Sequence, residues 1–174
     1  MGYLIDCDLG WPMSADGNAS LAREDVQDYP RPPRLEVTPQ ILRVELDGHL
    51  VAETRRGLRA LETYHPPTYY FPAEDVLAEL IPAHGSTFCE WKGVARYFDV
   101  HIKGAQADVG AWSYDKPSST FAPLEGYVSF YAGRMSACFV GSIRVIPQPG
   151  AFYGGWVTPN LTGAIKGAAG TRHW

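Results

Sequence analysis

The stretch ILRVELDGHLVAET (41–54) decides the fold class. Leu42, Val44 and Leu46 alternate with Arg43 and Glu45, the period of two expected of a strand with one buried face. Asp47-Gly48 follows, and both positions tolerate positive φ, so the pair predicts a tight hairpin. Towards the C-terminus the same patterning predicts more strands. STFCEWKGVARYFDVHI (86–102) reads as one long strand bending at Gly93, followed by DVGAWSY (108–114), LEGYVSFYA (124–132) and ACFVGSIRVIP (137–147). Short helices are expected over GLRALET (57–63), which must stop before Pro66-Pro67, and over AEDVLAEL (73–80). Pro72 opens the second helix, with Glu74 and Asp75 where the macrodipole favours acids. The expected fold is mainly β, a β-rich α+β chain. It is a compact single-domain roll or small barrel of complex topology with one or two short helices.

The flanks divide the chain into three parts. Residues 1–28 show no steady periodicity and contain the loop-like SADGNAS, which predicts an irregular N-terminal arm. Residues 29–147 form the β-rich core, entered through the extended, Pro-rich YPRPPRLE (29–36) that packs Tyr29 inward. Residues 148–174 are a Gly- and aromatic-rich tail whose Phe152, Tyr153 and Trp156 are expected to fold back on the core and close one end.

With 174 residues the chain is long enough to bury one substantial core. Its net charge of −4, with no basic run beyond Arg55-Arg56 and the scattered Arg31 and Arg34, argues against nucleic acid as a partner. No stretch approaches the roughly 20 apolar residues of a membrane span. Asp6 and Asp8 interrupt any secretory leader. A cytoplasmic protein is expected, with no membrane partner. Cys7, Cys89 and Cys138 cannot pair completely and show no C-x-x-C spacing, so free thiols are expected. The histidines, His49, His65, His84, His101 and His173, show no pair at metal-ligand spacing, so no metal and no cofactor is expected. Oligomeric state is left open, a homodimer included.

The unusual number is 13% aromatic, including 5 Trp and 10 Tyr. Such residues serve strands, and they also line concave small-molecule sites. Glu62, just before the double proline, is a candidate general acid or base in a partly apolar pocket, its alternative being a salt bridge to Arg59 or a cap on a neighbouring loop. Lys92, beside the small Gly93, is a candidate nucleophile, base or oxyanion stabiliser. Its alternative is a solvated edge-strand lysine or one paired with Glu90. A continuous strand would put Glu90, Lys92 and Arg96 on one face and Cys89, Trp91, Ala95 and Tyr97 on the other. Cys89 then reads as a small buried hydrophobe before it reads as a nucleophile. Tyr69 and Tyr70 must take opposite faces, one buried and one available to a ligand. Trp112 and Tyr114, two apart, form an aromatic wall. Lys166 and Thr171 among glycines superficially suggest a phosphate cradle, but the P-loop spacing is absent.

LETYHPPTYYFPAEDV (61–76), FCEWKGVARYFDV (88–100), AWSYDKP (111–117) and GYVSFYA (126–132) together resemble the DUF427 family, also labelled a nucleotidyltransferase-like domain. The resemblance runs from about Gln27 to Trp174 and includes the PQPGAFYGGWVT tail (147–158) of the longer single-domain type. It implies a compact, mostly β fold of complex topology. Typical motif residues fall on Glu62, Tyr70, Pro72, Asp75, Cys89 and Lys92, and on Gly93, Trp112, Tyr114 and Tyr131. It supplies no activity. The closely spaced carboxylates that catalytic Mg²⁺ with a nucleotide requires are missing. The chain also departs from the longer relatives at Ser136, Ile143 and Ala164-Ile165. Those changes would suit a pocket adapted to a larger, more apolar substrate.

The function expected from these residues is an enzyme needing no cofactor, acting on a small, largely apolar organic molecule by positioning and acid–base catalysis. Cyclases, lyases and isomerases work this way. Glu62, Lys92 and Tyr70 are the expected catalytic residues, and Trp91, Trp112, Tyr114, Tyr131, Tyr153 and Trp156 the substrate-binding walls. The alternatives are a non-catalytic small-ligand-binding protein and a nucleotide-dependent transferase.

Overall fold

The computed structural model describes residues 21–171 and 174; most of the expected N-terminal arm, with Cys7, lies outside the described residues. Strands dominate. In chain order they are β1 (Glu24–Asp25), β2 (Arg34–Val37), β3 (Leu42–Leu46), β4 (His49–Thr54), β5 (Leu58–Leu61), β6 (Thr68–Pro72), β7 (Glu79–Cys89) and β8 (Gly93–Ile102). They continue with β9 (Ala105–Ser113), β10 (Tyr127–Phe130), β11 (Ala137–Val140), β12 (Ile143–Arg144), β13 (Ile146–Pro147), β14 (Trp156–Val157) and β15 (Leu161–Thr162). A seven-stranded sheet runs β2-β5-β6-β10-β9-β8-β7 and a four-stranded sheet β12-β11-β3-β4. Both are antiparallel throughout, and neither closes into a barrel, so the fold is an open roll.

The Asp47-Gly48 hairpin forms as its sequence dictates, with φ of 49° and 77° joining β3 to β4. The alternating residues of β3 and β4 then face the larger sheet. Leu42, Val44 and Val51 meet Tyr69, Phe71, Val100 and Phe130 in the main core, and Trp156 plugs it from the tail. Fully burying each large apolar side chain contributes about 1.5–3 kcal/mol.

Both expected helices are absent. GLRALET forms β5, inserted between β2 and β6, where Arg59 reaches Glu24 at 2.9 Å and Glu36 at 2.5 Å. After Pro72 the chain makes only one 3-10 turn, Ala73–Asp75. The two acids serve tertiary partners instead of a helix start: Thr54 Oγ1 donates to Asp75 at 2.6 Å, and Arg56 donates to Asp75 and Glu74. Leu77 N–H then donates to Val51 O at 2.8 Å, so the backbone bonds β4 instead of its own preceding turn. Among the described residues no helix is long and apolar enough to cross a membrane.

The sequence 86–102 is a hairpin and not one bent strand. β7 and β8 pair from Cys89↔Gly93 outward, leaving Glu90–Lys92 as the turn. Gly93 takes φ +110°, which an L side chain rarely adopts, and a Cβ there would press on Lys116 O at 3.2 Å. The turn is pinned from the 116–118 loop: Ser118 Oγ donates to Trp91 O at 2.6 Å and Ser118 N–H to Lys92 O at 3.0 Å.

Candidate active site

The seven-stranded sheet has two differently used faces. Tyr69 and Phe71 of β6 point into the main core, and Tyr70 between them points the other way. On that second face Tyr70 packs with Ala60, Ala95, Trp112 and Tyr114 under a cover formed by the 3-10 segment Ser119–Leu124 and the tail. Between this face and the tail lies a cleft of about 380 Å³.

The structure gathers Glu62, Tyr70, Lys92, Trp112, Tyr114, Tyr131 and Tyr153 into this cleft. Two expected wall residues stand elsewhere. Trp156 is fully buried in the main core, its Nε1–H donating to Phe130 O at 3.0 Å. Trp91 sits in the hairpin turn and packs beside the cleft without lining it. Because a turn replaces the continuous strand, Cys89 and Lys92 share one face, contrary to the alternation: Lys92 Nζ lies 3.9 Å from Cys89 Sγ. Lys92 is buried and does not pair with Glu90, which instead meets Arg31 at 4.0 Å. Glu62 does not pair with Arg59, whose partners are Glu24 and Glu36.

Glu62 is held by a turn that three chain segments fix. His65 N–H donates to Glu62 O at 2.9 Å, Tyr64 N–H to Val26 O at 2.9 Å, and Lys166 N–H to Tyr64 O at 2.8 Å. Tyr64 takes φ 66°, a strained conformation for a non-glycine residue that surrounding contacts must impose. The same turn brings His65 and Lys166 to the cleft, His65 outside every expected site role and Lys166 expected only as part of a phosphate cradle. Gln148 joins them. Its Nε2 donates to His65 Nδ1 at 3.0 Å and to Lys166 O at 2.9 Å, while its Oε1 accepts from Gly155 N–H at 3.1 Å.

The tail reaches the sheet this closely because it carries glycine. A Cβ on Gly154 would stand 2.0 Å from the Trp112 ring. Trp112 in turn packs against Tyr131, ring centroids 4.3 Å apart. Tyr153 takes His65 edge-on at 5.0 Å and lies under Lys166 Nζ at 5.4 Å. The suggested phosphate cradle does not form: Thr171 Oγ1 accepts Gly167 N–H and donates to Ala168 O, both at 2.8 Å.

Burial sets the protonation of the cleft. It pushes the Tyr70 phenol well above its ordinary value, with Tyr114, Cys89, Glu62 and Tyr131 adding to the effect. Tyr114 and Tyr131 are raised mainly by burial too. All three are neutral hydrogen-bonding phenols at physiological pH. Burial lowers the His65 value, with Lys166 and Lys92 assisting and Glu62 opposing, so His65 is biased towards its neutral form.

The residues expected to mark an adapted pocket lie off the cleft. Ser136 accepts Asp47 N–H at 2.8 Å beside the β3–β4 hairpin, Ile143 belongs to β12, and Ile165 packs with Val26, Tyr29 and Leu61. The identity of these residues therefore does not set the polarity of the cleft lining. A second hollow of about 420 Å³ carries His49, Glu79 and His101. Among the described residues no three His, Cys, Asp or Glu side chains stand where they could hold a metal ion.

A family profile described as a domain of unknown function, DUF427, matches residues 34–141, and the chain belongs to that family. The matched stretch supplies Glu62, Tyr70, Lys92 and Trp112; Gln148, Tyr153 and Lys166 come from the chain beyond it. No curated protein matches the chain.

Proposed function

We propose that the chain is an enzyme acting on a small, largely apolar organic molecule by positioning and proton transfer, in the manner of a cyclase, lyase or isomerase. The observation that carries the reading is the presence of Glu62, Lys92 and Tyr70 in one cleft of about 380 Å³ with aromatic walls. A concave site of that size with a few convergent polar groups suits a small ligand. Glu62 takes and returns the proton. Lys92 holds the oxygen on which negative charge develops, and Tyr70, kept as a neutral phenol, donates a hydrogen bond. Trp112, Tyr131 and Tyr153 clasp the flat apolar body. A reducing, cytoplasmic setting in which Cys89 stays a thiol is part of the proposal.

The test is turnover of whichever polycyclic or polyketide-like compounds stabilise the protein, measured for the wild type and for Glu62→Gln. Loss of turnover with the fold retained supports the role of Glu62. Undiminished turnover refutes that role. Saturable binding with no chemical change would make the cleft a sequestering site, and stabilisation by nucleotides with Mg²⁺ alone would favour a transferase.

A further inference from the structure

Taking the cleft as a small-molecule site, as proposed above, we infer that its ligand is an organic acid: a flat molecule whose anionic oxygen sits on Lys92, with Lys166 completing the cationic side. Lys92 is only 8% exposed. No carboxylate among the described residues forms an ion pair with Lys92 or Lys166. Among the described residues the partners of Lys92 Nζ are the Cys89 thiol at 3.9 Å and the face of Phe121 at 5.7 Å. Both are weak company for a buried ammonium. Elsewhere the protein answers its half-buried cation differently, placing Arg59 between two carboxylates. A buried charge without a counter-charge is unfavourable, and a bound anion relieves it. The two lysines reach the site from unrelated elements, the β7–β8 turn and the tail, and the charge of each acts on His65.

The anion is a carboxylate in preference to a phosphoryl group. Glu62 and Glu90 also line the cleft and repel a dianion more than a monoanion. The backbone amide that would cradle a phosphate, Gly167 N–H, is already taken by Thr171. The aromatic walls and neutral phenols fit a flat ring system bearing that acid.

The test compares 2-naphthoate, 2-naphthamide and 2-naphthyl phosphate by calorimetric titration of the full chain, as wild type, Lys92→Met, Lys92→Arg and Lys166→Met. The wild type is expected to bind the acid at least about tenfold tighter than the amide. Lys92→Met should abolish that preference by weakening acid binding far more than amide binding, and Lys92→Arg should keep it. Lys166→Met should weaken acid binding by a smaller factor. Equal affinity for acid and amide, or an intact preference in Lys92→Met, overturns the inference while the cleft reading stands. Tighter binding of the phosphate overturns the carboxylate assignment. Binding of none of the three removes the cleft reading and this inference together. Loss of amide binding in Lys92→Met signals a damaged fold, and the Lys92→Arg and Lys166→Met results then decide.

Discussion

The side-chain amide of Gln148 donates to Nδ1 of His65 at 3.0 Å, across 83 residues of sequence. The amide cannot turn over, because Gly155 N–H holds its oxygen and Lys166 O holds its nitrogen. Nδ1 accepts only when unprotonated, so the geometry selects the neutral ring with its hydrogen on Nε2. Burial lowers the His65 value in the same direction.

A pH dependence follows from that depressed value. Between the folded value and the unfolded value of about 6.5, the unfolded chain binds more protons, so stability rises with pH. The His65 contribution is complete above about pH 6.5 and is lost as pH falls through the folded value. Asp75 is held below the ordinary carboxylate range by Thr54 and Arg56, and Asp115 mainly by Arg96. Their contributions are lost only below about pH 4, outside this window. Denaturant midpoints at pH 5 and 7 should therefore differ in the wild type and converge in His65→Gln. An unchanged difference in the variant would count against the His65 assignment.

Lys92→Met should stabilise the ligand-free protein. It replaces a buried ammonium that has no carboxylate partner among the described residues with an apolar chain of similar length. A gain of about 1–2 kcal/mol is expected, or a rise of about 3–6 °C in Tm for a chain of this size. A fall in Tm would show that the ammonium has a partner this account lacks.

Gly154→Ala should do the opposite. The added Cβ meets the Trp112 ring at 2.0 Å, so either the tail lifts or the indole leaves its place on Tyr131. A loss of about 1–3 kcal/mol is expected. Gly133→Ala is the control, since its nearest neighbour would be 3.7 Å away. Similar melting curves for the two variants would contradict the packing described for the tail.

Cys89 and Cys138 should separate under alkylation. Cys89 opens on the cleft, whereas Cys138 is 1% exposed in the main core, its thiol pushed up by burial. Peptide mapping after brief iodoacetamide treatment of the native protein should find Cys89 modified and Cys138 intact until the protein unfolds. Labelling of Cys138 at the rate of Cys89 would contradict the core assignment.

What could be read from the sequence was local. Asp47-Gly48 specifies its own turn, and alternation correctly sends Tyr69 and Tyr70 to opposite faces and puts Trp112 with Tyr114. Alternation failed where a turn interrupted it. Gly93 three residues after Glu90 is a hairpin signal, and reading it as a bend set Cys89 and Lys92 on opposite faces. GLRALET has a helix-compatible composition, yet pairing on both sides makes it a strand. His65, Gln148 and Lys166 could not be assembled from spacing, since contacts across long separations bring them together. The glycines that admit the tail were the available clue: Gly155 would strike Gln148 and Pro66 with any side chain.

The most direct test of the central claim, that the aromatic cleft is a small-molecule site, is thermal shift of the full chain against two panels. One holds flat polycyclic and polyketide-like acids, the other nucleotides with Mg²⁺. A ligand that binds only the native state raises Tm with concentration. A saturable rise is expected with members of the first panel and none with the second. A rise with the nucleotides alone would contradict it.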